Sequence, residues 1–203
     1  MYYGEEKIDK AIREKFFPDF DYKGIMVEVG AGPTTYFSMS KHFRDNGWRC
    51  ILVEPNPKFV EFHKSLGHEI YPYACSSENK DDTFTIVSTP TWHKYETDGC
   101  SISAIEVSNQ SVPHMGSAEK IPVKLIKLDT LLEDLKIEKI DYLSIDVEGW
   151  EIDVMKGFSP EKYSPKIIVL ENIGHSSKYS DYMNSIGFIL DSSYSHNQIY
   201  IKQ

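Results

Sequence analysis

Between Ile25 and Tyr73 the chain alternates short apolar runs with amphipathic stretches, and few architectures accept that pattern. Ile25-Met26-Val27-Glu28-Val29-Gly30, Arg49-Cys50-Ile51-Leu52-Val53 and the run 68–73 read as buried strands. The first intervening stretch reads as a helix from Pro33-Thr34 to Asn46-Gly47, a natural stop. The second opens with Asn56 as N-cap and Pro57 at the first helical position, carries Phe59, Val60 and Leu66 on one face, and ends at Gly67. Parallel neighbours need a crossover connection, so strand–helix–strand–helix–strand predicts a parallel α/β sheet.

The rest of the chain extends this pattern with one interruption. Ile8, Ala11, Ile12 and Phe16 predict an N-terminal helix within residues 1–20, stopped near Pro18. Runs 83–87 and 121–128 read as strands. Between them, residues 88–120 are polar and turn-rich, and predict a lid with a short strand at 101–107. Asp129 is expected to cap a helix over 130–135. Strand 140–145 ends at Asp146, and a helix over 149–156 is closed by Gly157. Strand 166–170 ends at Glu171 and is followed by a helix over 177–185. Runs 188–191 and 198–201, with a turn at 193–197, predict a terminal antiparallel hairpin. With no repeat or linker, 203 residues predict a single domain, 1–203.

Charge narrows the function. Against 22 Lys and Arg stand 31 Asp and Glu, a net −9 that argues against nucleic acid and anionic lipid as partners. No apolar run reaches the ~20 residues of a membrane span. Cys50, Cys75 and Cys100 lack metal or redox spacing, and no leader is visible at the N-terminus. Reduced thiols and a cytoplasmic location are therefore expected.

Val27-Glu28-Val29-Gly30-Ala31-Gly32-Pro33-Thr34 puts a glycine-rich turn after the first strand, where backbone can approach a ligand. The third glycine of dinucleotide turns is replaced by Thr35. Glu28 suits a cationic ligand better than a diphosphate. Glu54 ends the second strand, where a carboxylate can accept both hydroxyls of a ribose. Glu28, Gly30, Gly32 and Glu54 together fit an adenosyl ligand without phosphates, and S-adenosylmethionine is such a ligand.

The stretch Ile140-Asp141-Tyr142-Leu143-Ser144-Ile145-Asp146-Val147-Glu148-Gly149-Trp150-Glu151, continued to Gly157 and preceded by Leu128-Asp129-Thr130-Leu131-Leu132, resembles the signature of the FkbM-type family of S-adenosylmethionine-dependent methyltransferases. The resemblance runs from about Met26 to Glu171. It implies a Rossmann-like class I methyltransferase sheet of seven strands, order 3-2-1-4-5-7-6, the last antiparallel, with helices on both faces. It also implies methylation of hydroxyl groups, commonly on sugars or natural products. Carried over, the resemblance makes Glu28, Gly30, Ala31 and Gly32 the first cofactor motif. Glu54, with Pro55 and Asn56, holds the ribose; Ala74 and Cys75 lie by the adenine; Asp146 stands where cofactor and acceptor meet.

An alcohol acceptor needs its proton removed or polarised. The candidate bases are Asp146, Glu171 and His175, expected to converge on one hydroxyl, with His93 and His114 further options. Trp92, His93 and Tyr95 are expected to stack on a sugar ring, with Ser101, Ser103 and Glu148 completing the acceptor site. No ligand spacing marks a metal site; Mg²⁺ between Asp146 and Glu171 is the option that oxygen donors allow. The expected function is O-methylation of a sugar in a glycan or glycosylated metabolite. The alternatives are a non-sugar or lipid-linked hydroxyl, or a non-catalytic module that kept the fold.

Overall fold

The structure is a computed structural model describing residues 1–32, 37–88, 101–105 and 117–203, the side chains of 87–88, 101–105 and 117–118 excepted. Its strands are β1 (Ile25–Val29), β2 (Arg49–Val53), β3 (Ile70–Tyr71), β4 (Ala74–Cys75), β5 (Lys80–Ser88), β6 (Ser101–Ile105), β7 (Ser117–Ile126), β8 (Tyr142–Ile145), β9 (Ile167–Glu171), β10 (Phe188–Tyr194) and β11 (Asn197–Lys202). Its helices are α1 (Ile8–Phe16), α2 (Lys41–Asp45), α3 (Pro57–Ser65), α4 (Leu128–Asp134), α5 (Glu151–Lys156), α6 (Pro160–Tyr163) and α7 (Ser177–Ser185).

Strands buried on both faces read as continuous apolar runs, and the runs of the sequence become such strands. β1 lies between β2 and β8 in parallel register, Val27 facing Ile51 on one side and Leu143 on the other. Alternate residues then feed two cores. Val27, Val29, Ile51, Leu143, Ile145 and Ile168 pack with Leu131 and Leu132 of α4, Val154 of α5 and Met183 of α7. Met26, Leu52, Tyr142 and Val169 pack on the opposite face with Ile8, Ile12 and Phe16 of α1, Phe43 of α2 and Val60 of α3. These cores hold the helices rather than the reverse. With five, six and four residues, α2, α5 and α6 are far below the ~12 at which an isolated helix persists.

Two sheets form, in the orders β10-β11-β9-β8-β1-β2-β3 and β4-β7-β5-β6. The larger is parallel from β3 to β9, and β11 runs antiparallel to β9. In whole-chain numbering this departs from the single-sheet order expected, because β4 to β7 leave the main sheet for the second. With those four set aside, the remaining strands stand 3-2-1-4-5-7-6. The chain reverses its direction of travel across the sheet between β1 and β8, and ligands of open α/β sheets bind at the carboxyl ends of such a switch point.

Several local expectations are corrected. The helix expected from Pro33 begins only at Lys41; the preceding Met39 N–H is instead drawn to the Glu28 carboxylate at 2.9 Å. The strand expected to reach Leu128 ends at Ile126, and Leu128 opens α4 as a buried core residue. Asp129 does not cap that helix: its carboxylate accepts from Ser159 N at 2.8 Å and from the Ser159 hydroxyl, anchoring the start of α6. Asn56 caps α3 as expected, accepting from Lys58 N at 3.1 Å.

Candidate active site

β1 delivers the chain into the glycine turn at the switch point. Gly30 N and Ala31 N both donate to the Val53 carbonyl, at 2.9 and 3.2 Å. Gly30 has φ +81°, and a Cβ built there would stand 1.7 Å from the Asp146 carbonyl oxygen, so only glycine lets β1 and β8 end so close together. Gly32, with φ +51°, is the opposite case: among the described residues a Cβ there would meet no heavy atom within 4 Å.

Glu54 is 4% exposed and braces this turn. Its Oε2 accepts from Gly32 N at 3.0 Å and its Oε1 from Asn56 N at 2.8 Å. Burial pushes its carboxyl up to about 7, against the pull of those two backbone donors. Pro55 beside it is half-buried. Glu28 is equally buried, and its Oε1 accepts from Met39 N. Burial raises it too, with Arg44 and Ser40 acting in the other direction. Glu28 thus ties β1 to the segment ahead of α2, and its carboxylate lies inside the fold.

The strand ends next to β1 bring three acids together. Asp146 N donates to the Val29 carbonyl at 3.0 Å, which fixes the end of β8 against that of β1. Carboxylate oxygens of Asp146, Glu148 and Glu171 all lie within 4.8 Å of one another, and among the described residues this group includes no histidine. Asp146 and Glu148 are open to solvent on one side and crowded by protein on the others. Crowding and the Asp146 charge drive Glu171 strongly upward. Asp146 is raised by the same enclosure, with the Glu171 carboxyl hydrogen-bonding it. Glu148 is pushed to about 7 by enclosure and by the charges of Asp146 and Glu151. Carboxylates this close do not all ionise, so the Asp146–Glu171 pair holds a proton at neutral pH.

The turn carrying Asp146 and Glu148 is held from behind. Glu148 itself lies at φ +57°, costly for a residue with a side chain. Glu151, fully buried, offers Oε1 to both Val147 N and Gly149 N at 3.0 Å, and Oε2 to the Tyr179 hydroxyl at 2.5 Å. The sequence reading assigned Glu151 no role; the available signal was an acid inside the Asp-Val-Glu-Gly-Trp-Glu core, just ahead of an apolar run. His63 was missed as well. It shares the apolar face of α3 with Phe59 and Val60, yet its Nε2 lies 3.0 Å from the Gly32 carbonyl.

The other predicted residues are placed as follows. His175 is exposed on the turn after β9, its ring 5.2 Å from that of His196 on the β10–β11 turn, and it is not part of the three-acid group. Ala74 and Cys75 do not end the third strand of the main sheet but form β4 beside β7; both side chains are buried, Cys75 in the main core. Next to them, Ser76 Oγ donates to Asp153 Oδ2 at 2.7 Å. Ser101 and Ser103 lie on β6, paired with Ser88 and Ile86. Trp92, His93, Tyr95 and His114 lie outside the described residues.

No helix among the described residues is long and apolar enough to cross a membrane. A search of curated proteins finds no match. The methyltransferase FkbM domain matches residues 28–195, a span that takes in the glycine turn, Glu54, all three clustered acids and the turn carrying His175. With most of its length matched, and the matched elements built into this switch-point site, the chain belongs to the FkbM methyltransferase family.

Proposed function

We propose that the protein is an S-adenosylmethionine-dependent O-methyltransferase whose acceptor is a sugar hydroxyl in a glycan or glycosylated metabolite. The observation that carries the cofactor reading is the pairing of Gly32 with Glu54. Among the described residues no atom takes the side of Gly32 where a side chain would stand, which leaves room for a ligand against bare backbone, and the Glu54 oxygens beside it keep lone pairs for a ribose diol. Acceptors and backbone suit a cationic adenosyl ligand and do not suit a diphosphate. Bound there, the cofactor supplies a methyl carbon already activated by its sulfonium.

Asp146 then has the role of base. It ends β8, one strand from Gly32, and enclosure has raised it toward the pH at which a base works best. The acceptor hydroxyl gives its proton to Asp146 while its oxygen bonds the methyl carbon, and the electron pair of the broken carbon–sulfur bond stays on sulfur. The Glu171 carboxyl, hydrogen-bonded to Asp146, holds it in place, and Glu148 faces the acceptor. His175, Trp92, His93, Tyr95, Ser101 and Ser103 are assigned to acceptor binding, on the chemistry of their side chains alone.

A thermal melt with S-adenosylhomocysteine tests the cofactor. At a thousandfold excess over Kd, linkage gives about 4 kcal/mol, or a rise of roughly 8–16 °C for a chain this long. NAD should give none, and no shift at millimolar S-adenosylhomocysteine refutes the reading. Incubating sugar acceptors with a methyl-labelled cofactor, with and without a chelator, tests the acceptor; transfer to a sugar that survives the chelator is expected.

A further inference from the structure

The Gly32–Pro33 peptide has one hydrogen-bonding atom, the Gly32 carbonyl oxygen, because Pro33 carries no N–H. That oxygen lies 3.0 Å from His63 Nε2. A carbonyl only accepts, so the Nε2 carries the proton. The Nδ1 of a neutral His63 must then accept, and His68 Nδ1, 3.0 Å away, must donate. The proton positions are thus dictated along a chain of two imidazoles ending on the glycine turn. His63 is fully buried on α3. Burial, followed by the positive charges of Arg44 on α2 and of His68, pushes it down to about 4, against the pull of the Gly32 carbonyl. It is neutral over the ordinary pH range, as this chain of donors requires.

On its other side Gly32 gives its N–H to Glu54. The most mobile residue type is therefore gripped at both of its peptides, and among the described residues nothing crowds its third side. We infer that His63, backed by His68, is a positioning residue that fixes the Gly32 carbonyl and so presets the turn for the cofactor. The inference rests on the cofactor reading above. A turn held in its binding conformation spares the ligand the cost of ordering it.

Calorimetric binding of S-adenosylhomocysteine to the full chain tests this with His63→Phe, His63→Gln and His68→Phe. Phenylalanine keeps a planar ring but cannot donate, and should weaken binding about tenfold, what one ordinary hydrogen bond is worth. A glutamine amide nitrogen reaches about where the imidazole Nε2 stands, and should restore affinity to within about threefold of wild type. His68→Phe should fall between. Equal affinity for wild type and His63→Phe overturns the inference, as does glutamine failing as badly as phenylalanine, which would assign the effect to packing. If wild type itself fails to bind, the cofactor reading falls and takes this inference with it. Nitrogen NMR of the wild-type imidazoles keeps the test independent of variant folding. The expected result is a proton on Nε2 of His63 and on Nδ1 of His68; a proton on Nδ1 of His63 overturns the arrangement.

Discussion

Gly30 and Gly32 are two residues apart, both at positive φ, yet alanine should damage them in different ways. At position 30 the new methyl would stand 1.7 Å from the Asp146 carbonyl oxygen, roughly half an ordinary contact distance. Relief requires the ends of β1 and β8 to part by more than an ångström, where Asp146 N holds the Val29 carbonyl. Overpacking of that kind costs about 1–3 kcal/mol, and the left-handed backbone adds roughly 1–2 kcal/mol. A loss near 4 kcal/mol lowers Tm by about 8–16 °C. At position 32 only the backbone cost applies, so Tm should fall by roughly 2–8 °C. On the proposed function the methyl there intrudes on the ligand, and S-adenosylhomocysteine affinity should drop by at least about tenfold. Thermal melts of both variants, with and without that ligand, measure the two effects. Gly30→Ala melting within about 2 °C of wild type would refute the close crossing. Gly32→Ala responding to the ligand as wild type does would refute the ligand's approach to Gly32.

Other variants test the acids. Glu54 has its folded pKa raised from 4.5 to about 7, so its contribution favours the fold below pH 4.5 and is lost as pH rises through 7. Glu54→Gln should therefore gain about 3 kcal/mol on wild type between pH 4.5 and 8 in urea unfolding; a gap independent of pH contradicts the burial argument. Asp146→Asn should cut turnover by at least ~100-fold while S-adenosylhomocysteine still binds, and near-normal turnover would remove it from the mechanism. Glu151→Ala leaves three donors unpaired and should cost about 3 kcal/mol, against roughly 1 kcal/mol for Tyr179→Phe; equal melting temperatures would show that the 147–149 turn does not depend on Glu151.

The elements with strong local signals were legible in the sequence. The run 25–29, the Asn56-Pro57 helix start and the helix over 177–185 rest on burial, capping and periodicity, all local properties. The acids ending strands, Glu54, Asp146 and Glu171, could be read because a sheet's carboxyl edge is where the chain leaves an apolar run. What failed was long-range. Ala74-Cys75 reads as a continuation of β3, and only pairing with Leu125 and Ile126 assigns it to another sheet. Asp129 has the sequence context of a cap, but its partner, Ser159, is 30 residues away. His63 holds the Gly32 carbonyl from 31 residues away, which no window of sequence displays; Glu151 holds backbone two and four residues upstream, and only its bond to Tyr179, 28 residues on, is long-range. The contact of His175 with His196, on a turn 21 residues on, is likewise invisible to local pattern.

The second sheet has a small apolar core of its own, built from Ala74, Phe84, Ile86, Val123 and Leu125. It joins the catalytic frame at β4 and at the exit of β7, and these two strands are paired with each other. Among the described residues, the stretch between them is thus closed at its base by that one strand pairing. A change of length between β4 and β7 is expected to leave the glycine turn and the three acids in place. On the proposed function, a graft cut at Cys75 and Ile126 is expected to change the acceptor and leave methyl transfer intact.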